Sequence, residues 1–282
     1  MNQMKYTLII GAGIHAQALK GSSYSSAALA SWHNLLLAIG AESFNNPLLG
    51  FESLVIKKAK DEKIAAYKAE QNLLKQIAET LEAEQTKIIN DTNIEYPLSI
   101  FNPEKVSDVI ILNFDLVIEN LLTKGNLPKL EKSPHNDSTY RTINGIRFWH
   151  PHGCIEEPYS IEFGIRKYGK NLKVIEALRS LYKMDERNEE YDLTKIQATW
   201  YSAIMLNPLV FVGTGLSFDE WGLWFALTSR KRNFAQKGEE LPVYTLNKKD
   251  AFCNLYGFTN TKAISEQDDY DQSWQSLIEF LN

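Results

Sequence analysis

The sequence predicts an α/β fold with a mainly parallel sheet flanked by helices. Short apolar runs of strand length alternate with longer segments of helical periodicity along the 282 residues. The runs are apolar throughout, which is typical of parallel strands buried on both faces. Glycine or polar residues follow several runs directly, at the position where open α/β sheets bind ligands.

The first unit is a strand over 6–10, a glycine turn at Gly11-Ala12-Gly13 and the start of a helix over 14–19. A second helix carries apolar residues from Leu29 to Ile39 and ends near Gly40. The remaining expected strands are 109–112, 146–149, 209–212 and 243–246. The remaining expected helices are 115–122, 172–184, 193–206, 219–230 and 273–281.

Two segments do not fit a minimal doubly wound sheet. Residues 52–87 are rich in Ala, Lys, Glu and Gln and carry apolar residues at helical spacing, so we expect one or two helices that form an insertion or a lid. Residues 124–144 contain Pro and Gly turn residues and are expected to be a loop for most of their length. We expect residues 1–282 to form a single domain with this helical insertion.

Composition excludes several classes of protein. The absence of an apolar run of roughly 20 residues argues against a membrane span, and the first residues lack the pattern of a secretory signal, so a cytoplasmic location is expected. A net charge of -5 argues against broad nucleic-acid binding. The one basic cluster, Arg230 to Arg232, is interpreted as a solvated helix end.

The chain has two cysteines, Cys154 and Cys253, too few for a four-thiolate zinc site or a disulfide framework. We interpret both as small buried side chains. A reactive Cys154 is the alternative, because it follows His152 and Gly153, but no base is evident for it.

The glycine turn allows the backbone to approach a pyrophosphate. Amide groups at the start of the next helix would stabilise the negative charge of that pyrophosphate. The full dinucleotide fingerprint is absent. Leu19 rather than glycine lies beyond Gly13-Ile14-His15-Ala16, and no acidic residue closes a second strand about 20 residues later. An ordinary NAD dehydrogenase is therefore disfavoured.

Three further polar segments follow expected strands. They are Asn113-Phe114-Asp115, His150-Pro151-His152-Gly153 and Gly213-Thr214-Gly215-Leu216-Ser217. In this order after the glycine turn, they resemble the sirtuin-like family of NAD-consuming domains, and the resemblance covers most of the chain, from residue 6 to 246.

The resemblance implies a Rossmann-like fold and a role for each segment. Gly11, Ala12 and Gly13 would hold the NAD phosphates. Asn113 and Asp115 belong to the segment whose asparagine contacts the ribose and positions water. His152 would act near the nicotinamide ribose. The last segment, with Gly213, Thr214, Gly215 and Ser217, would line the adenosine end.

The departures from the family are informative. The protein deacetylases of this family carry a four-cysteine zinc ribbon, which two cysteines cannot make, and the helical insertion takes its place. Leu112 stands where the deacetylases have a glutamine. The stretches 149–169 and 213–230 look more like the bacterial sirtuin-like effectors of antiphage defence, which hydrolyse NAD to nicotinamide and ADP-ribose.

The resulting expectation is a NAD glycohydrolase that depletes NAD in antiphage defence, with Asn113 and His152 catalytic, NAD as the substrate and no metal. Activation by homo-oligomerisation or by a partner protein is expected, since free activity would be toxic. A NAD- or ADP-ribose-binding regulatory module and an ADP-ribosyl or acyl transferase stay open as alternatives.

Individual residues also have other interpretations. Asn113 is a candidate cap for the helix expected from Asp115. His150 and His152 lie two residues apart and are a candidate metal pair, although no third ligand is evident. His15 has no identifiable partner in the sequence.

Overall fold

A computed structural model describes residues 4–42, 44–134, 138–185, 190–191, 198–215, 220–237, 241–247, 261–265 and 269–282. It confirms the α/β fold, with one eight-stranded sheet that is mostly parallel and flanked by helices. The strands are β1 (Tyr6–Ile10), β2 (Val106–Ile111), β3 (Glu131–Lys132), β4 (Thr139–Ile143), β5 (Ile146–His150), β6 (Lys183–Asp185), β7 (Glu190–Tyr191), β8 (Leu209–Val212), β9 (Val243–Asn247) and β10 (Thr261–Ser265). Strands β6 and β7 form a separate two-stranded ribbon.

The order of the large sheet is β10-β9-β8-β1-β2-β5-β4-β3. Strand β1 lies between β8 and β2 and is parallel to both, with Ile10 level with Val212 on one side and Ile111 on the other. Within the described sheet, the antiparallel pairs are at the β3 edge, where β4 runs antiparallel to both β5 and β3. The carboxyl ends of β8, β1 and β2 therefore lie side by side, where the chain crosses from one half of the sheet to the other.

The helices are α1 (Gly13–Ala18), α2 (Trp32–Ala38), α3 (Pro47–Glu62), α4 (Ala66–Asn90), α5 (Val117–Thr123), α6 (Ile165–Tyr182), α7 (Trp200–Leu206), α8 (Trp221–Lys237) and α9 (Tyr270–Leu281). Each face of the sheet has its own core. Ile9 and Phe211 pack with apolar residues of α6, α7 and α8, whereas Leu8 and Ile10 pack with residues of α9. The continuous apolar runs follow from this burial on both faces.

The helical insertion is confirmed as two helices, α3 and α4. Asn46 caps α3 by accepting the amide of Leu49, and Pro47 follows at the first helical position. The buried faces of α3 and α4 pack with α2 and with the segments after β2 and β5 in a third core. From α4, the Gln85 side chain accepts the amide of Leu116, 3.0 Å away, and so fixes the segment that follows β2. The insertion is thus part of the core.

One expectation is incomplete and another is wrong. Residues 124–144 are loop for most of their described length, as expected, but Thr139–Ile143 forms β4 and pairs along its whole length with β5. Arg230 is not a solvated helix end. It is buried within α8 and donates to the backbone carbonyls of Ile204, Asn207 and Leu241.

The expected helix over 193–206 is described only in part, as α7, since 193–197 lie outside the described residues. Among the helices that the structure describes, none combines the length and the apolar composition needed to cross a membrane.

Candidate functional site

A cavity of about 180 Å³ lies at the carboxyl ends of β8, β1 and β2. The loops after these three strands supply most of its wall, and the start of α2 supplies the rest. The lining residues are Gly11, Ala12, Ser31, Trp32, Leu112, Asn113, Thr214, Gly215 and Glu220. Five residues expected to act on NAD therefore surround one space: Gly11, Ala12, Asn113, Thr214 and Gly215.

The glycines of the two turns are needed for the turns to pack against each other. The amide of Gly13 donates to the carbonyl of Gly213 over 2.8 Å, and a Cβ on Gly13 would lie 2.5 Å from the Gly213 Cα. Gly213 has φ +61°, which favours glycine. Close packing of neighbouring strand ends thus explains Gly13 and Gly213 without a ligand, and the expected contact of Gly13 with phosphate stays a prediction.

Several hydrogen-bond donors at the cavity are not used by the protein. The amide of Gly11 donates to Val212. Within the described part of the chain, the amides of Ala12, Thr214 and Gly215 have no acceptor. The Thr214 hydroxyl is buried and has no partner there either. Because buried polar groups are normally paired, the Thr214 hydroxyl in particular is suited to donate to an anionic or carbonyl-bearing ligand.

Asn113 is held by a buried histidine. His15 is fully buried, and its Nε2 lies 3.1 Å from the Asn113 side-chain amide and 3.1 Å from Asp115 Oδ2. An amide side chain can present its oxygen or its NH₂ group after a half-turn, so the contact with His15 orients Asn113 whichever of the two groups faces the ring. The side chain of Asn113 does not cap α5, whose first amide, that of Val117, is accepted by Asp115. The helix-cap interpretation of Asn113 is therefore wrong.

Two further groups fix the His15 ring. The Tyr96 hydroxyl lies 2.9 Å from His15 Nδ1, and burial raises the pKa of Tyr96, so the phenol keeps its proton. Burial alone would raise the pKa of Asp115, but the charge and hydrogen bond of His15 outweigh it and lower that pKa. Asp115 is thus an ionised acceptor behind Asn113, and it does not line the cavity.

His152 pairs with a carboxylate at the cavity wall. Its Nε2 lies 3.0 Å from Glu220 Oε2, and its ring stacks on Tyr168 at 5.1 Å. Glu220 lines the cavity, whereas His152 stands directly behind it. Gly153 follows with φ +77°, and a Cβ there would lie 2.3 Å from the Ser160 carbonyl oxygen, so only glycine fits this turn.

The carboxylate changes the acidity of His152. Burial lowers the pKa of the imidazole, but the charge and hydrogen bond of Glu220, together with the charge of Glu162, outweigh burial and raise it. His152 therefore holds its proton to a higher pH than a free histidine. A histidine paired with a carboxylate is a proton carrier that works near neutral pH.

The second histidine of this segment has a different partner. His150 Nε2 lies 2.6 Å from Glu119 Oε1, and both side chains are almost completely buried. His150 and His152 thus bind different carboxylates, which contradicts their interpretation as a metal pair. The described residues contain no group of three or more His, Cys, Asp or Glu side chains arranged to hold a metal ion.

Cys154 is a buried thiol, as expected for the structural interpretation. Burial raises its pKa to about 11, so the thiol keeps its proton at neutral pH and is a poor nucleophile. Cys253 lies outside the described residues.

Aromatic side chains form the wall beneath α2. The Trp32 ring is nearly parallel to that of Phe114, with 6.3 Å between their centres, and meets Phe163 and Tyr168 edge-on. Since Tyr168 also stacks on His152, this aromatic group connects Trp32 at the cavity with the histidine.

Sequence analysis missed four residues of this site: His15, Trp32, Tyr96 and Glu220. Only Glu220 had a local signal, an acidic residue shortly after the Gly213 turn. Ser217, expected at the adenosine end, lies outside the described residues.

A scan against protein-family models finds no match, and a search of characterised proteins finds no similar sequence. The geometry of the site and the resemblance of its motifs are therefore the basis for a functional proposal.

Proposed function

We propose that this protein is a sirtuin-like NAD glycohydrolase, which cleaves NAD to nicotinamide and ADP-ribose. One observation carries the proposal: Asn113 and the His152–Glu220 pair meet at one cavity, at the strand ends where α/β sheets bind nucleotides. A protein that only bound NAD would need the glycine turns but not a buried histidine–carboxylate pair beside them.

The cavity suits the reacting end of NAD. Its volume of about 180 Å³ is below the 300 Å³ or so at which ligand pockets usually begin, so it accommodates one end of a dinucleotide. The free amides of Ala12, Thr214 and Gly215 offer donors to phosphate or carboxamide oxygens. Trp32 offers a flat wall for a ring.

The proposed cleavage needs mainly positioning and charge stabilisation from the protein. The bond between C1′ of the ribose and the nicotinamide nitrogen breaks, and its electron pair neutralises the positive ring. The ribose then carries oxocarbenium character, which the Glu220 carboxylate at the cavity wall stabilises. Water forms the new bond to C1′ and gives a proton to the His152–Glu220 pair, whose Glu220 carboxylate faces the cavity.

Asn113 positions that water or the ribose hydroxyls. Asn113 can position a reactant only if its side chain has a fixed orientation. The contacts of His15 with Asn113, Asp115 and Tyr96 fix that orientation. His15 is therefore a positioning residue in this proposal. Asn113 and Glu220 are the groups next to the reacting atoms, and His152 acts through its contact with Glu220.

The biological role in this proposal is depletion of NAD in antiphage defence, and self-association or a partner protein restrains or activates the enzyme. The described residues that line the cavity include none from 52–87, for which a lid was one expectation, and none from the expected loop 124–144. Activation would instead act on the start of α2, where Ser31 and Trp32 form part of the wall.

The test is incubation of the purified protein with NAD across a wide range of protein concentration, followed by chromatography. Equal amounts of nicotinamide and free ADP-ribose are expected, with specific activity that rises with protein concentration. Nicotinamide release with ADP-ribose retained on protein would indicate a transferase. NAD that binds but stays intact at every concentration would indicate a regulatory module.

A further inference from the structure

A second cavity, of about 270 Å³, lies between α4 and the beginning of α6. Its wall carries three basic residues, Arg166, Lys167 and Lys170, and two tyrosines, Tyr67 and Tyr159. Among the described residues, it shares none with the strand-end cavity. We call it the α4–α6 cavity.

The charges of this cavity are unbalanced. Glu70 is the one acidic residue among those that line it, and it lies 3.8 Å from the Arg166 guanidinium. The Arg166 side chain is 74% exposed, so its donors remain accessible. Three cations face Glu70 and the nearby Glu162, whose charge acts on Lys167 and Lys170, so a surplus of positive charge remains in a protein whose net charge is -5. Such a local surplus favours an anionic ligand.

Lys167 is the most enclosed of the three cations. Its ammonium donates to the Tyr159 carbonyl over 3.0 Å, which points it toward the cavity wall formed by Tyr159. Burial lowers the pKa of Lys167, because the charged form has lost part of its hydration. A bound anion would replace that lost hydration.

The two tyrosines add an aromatic surface beside the cations. Tyr67 and Tyr159 are 60% and 59% exposed, although aromatic side chains usually bury their rings. The Tyr67 hydroxyl accepts from Gln71 over 2.6 Å, which fixes the ring. Phosphate oxygens pair with Arg and Lys, and flat rings stack on tyrosine, so the two features together fit a phosphorylated ring compound.

We propose that the α4–α6 cavity is a second ligand site, which binds a phosphorylated ligand with a flat ring, of mononucleotide class. Its volume is close to the lower limit of ordinary ligand pockets and suits a mononucleotide better than a dinucleotide. The site is connected to the first one, because Lys167 is followed by Tyr168, whose ring stacks on His152. An effect of the ligand on turnover rests on the proposed function, whereas its binding does not.

The test is calorimetric titration of the full chain with AMP, adenosine and inorganic phosphate. AMP is expected to bind at least about tenfold more tightly than adenosine, since each charged hydrogen bond to phosphate is worth about that factor. Arg166→Glu with Lys170→Glu should lower the AMP affinity at least about tenfold. The matched control Lys173→Glu, an exposed charge reversal on the same helix outside the cavity, should leave the affinity unchanged.

The variant Asn113→Ala distinguishes binding at the two cavities, because Asn113 lines the strand-end cavity and not the α4–α6 cavity. AMP affinity that is unchanged in Arg166→Glu with Lys170→Glu, or lost in Asn113→Ala, would overturn the proposal. Equal affinities for adenosine and AMP, or no binding of AMP, would overturn it too. If AMP binds as expected and nicotinamide release does not respond, the link through Tyr168 is rejected and the site stands. If NAD is never cleaved, the proposed function fails and the binding result is unaffected.

Discussion

His150 and His152 are two residues apart, both are buried and each contacts a glutamate, yet their surroundings differ. The His150–Glu119 pair lies in the interior, where both side chains are at most 1% exposed. The His152–Glu220 pair lies beside the strand-end cavity, and Glu220 forms part of its wall. The same two side-chain types can thus hold the fold together or face a ligand, and access to the cavity distinguishes the two roles.

The largest effect expected from this comparison is on turnover. His152→Gln should lower NAD cleavage by about 10²- to 10⁴-fold, the usual contribution of a positioned acid or base. His150→Gln should change turnover per folded molecule by less than about threefold. Initial rates of nicotinamide release, normalised to the folded fraction, test both. Equal losses in the two variants would remove the distinction between the pairs.

Stability should show the opposite order. His150→Gln is expected to cost about 3 kcal/mol of unfolding free energy, because the buried Glu119 would lose its imidazole hydrogen-bond partner. His152→Gln should cost less, since Glu220 borders a cavity that water can enter. Urea denaturation of the two variants measures this difference. A larger loss for His152→Gln would mean that its pair is the structural one.

Asn113→Ala should lower turnover at least about 100-fold, the loss expected when a group that positions a reactant is removed. The matched control is Asn120→Ala. The Asn120 side chain donates a hydrogen bond to the carbonyl of Leu116, the residue before α5, and does not line the cavity. Thermal melting and rate assays should separate a catalytic loss in the first variant from a small stability loss in the second. Comparable rates in both would exclude Asn113 from the reaction.

The smallest expected effect is on the titration of His152. Glu220 raises the pKa of His152, so Glu220→Gln should lower that pKa. The pair stabilises the fold fully below pH 6.5 or so, the unfolded value, and this contribution is lost as pH rises through the raised pKa. NMR titration of the His152 ring measures the shift, with the exposed His33 as internal control. An unchanged His152 titration in Glu220→Gln would contradict the pairing.

The central sheet could be predicted because its strands are continuous apolar runs that end at glycine or polar residues. Strand β4 was missed because it is near the sheet edge, alternates buried and exposed residues, and lies within a segment rich in turn residues. Arg230 was misassigned because a cluster of basic residues is usually solvated, and nothing local shows that three backbone carbonyls surround this one.

The site could be predicted only where its residues follow a strand directly. The turns at Gly11 and Gly213 and the residues Asn113 and His152 have that signal. Glu220 and Tyr96 do not, because their partners lie 68 and 81 residues away in the chain. Single-sequence periodicity contains no information on such long-range pairs, so the carboxylate of His152 and the support of His15 required the structure.

The central claim is that Glu220, His152 and Asn113 cleave the nicotinamide bond of NAD at the strand-end cavity. The most direct measurement is the stoichiometry of nicotinamide and ADP-ribose released from NAD by the wild-type protein and by Glu220→Gln, at protein concentrations high enough for self-association. We expect one nicotinamide for each ADP-ribose from the wild type, and a rate at least about 100-fold lower for the variant. Intact NAD with the wild-type protein at every concentration, or undiminished release by Glu220→Gln, would contradict the claim.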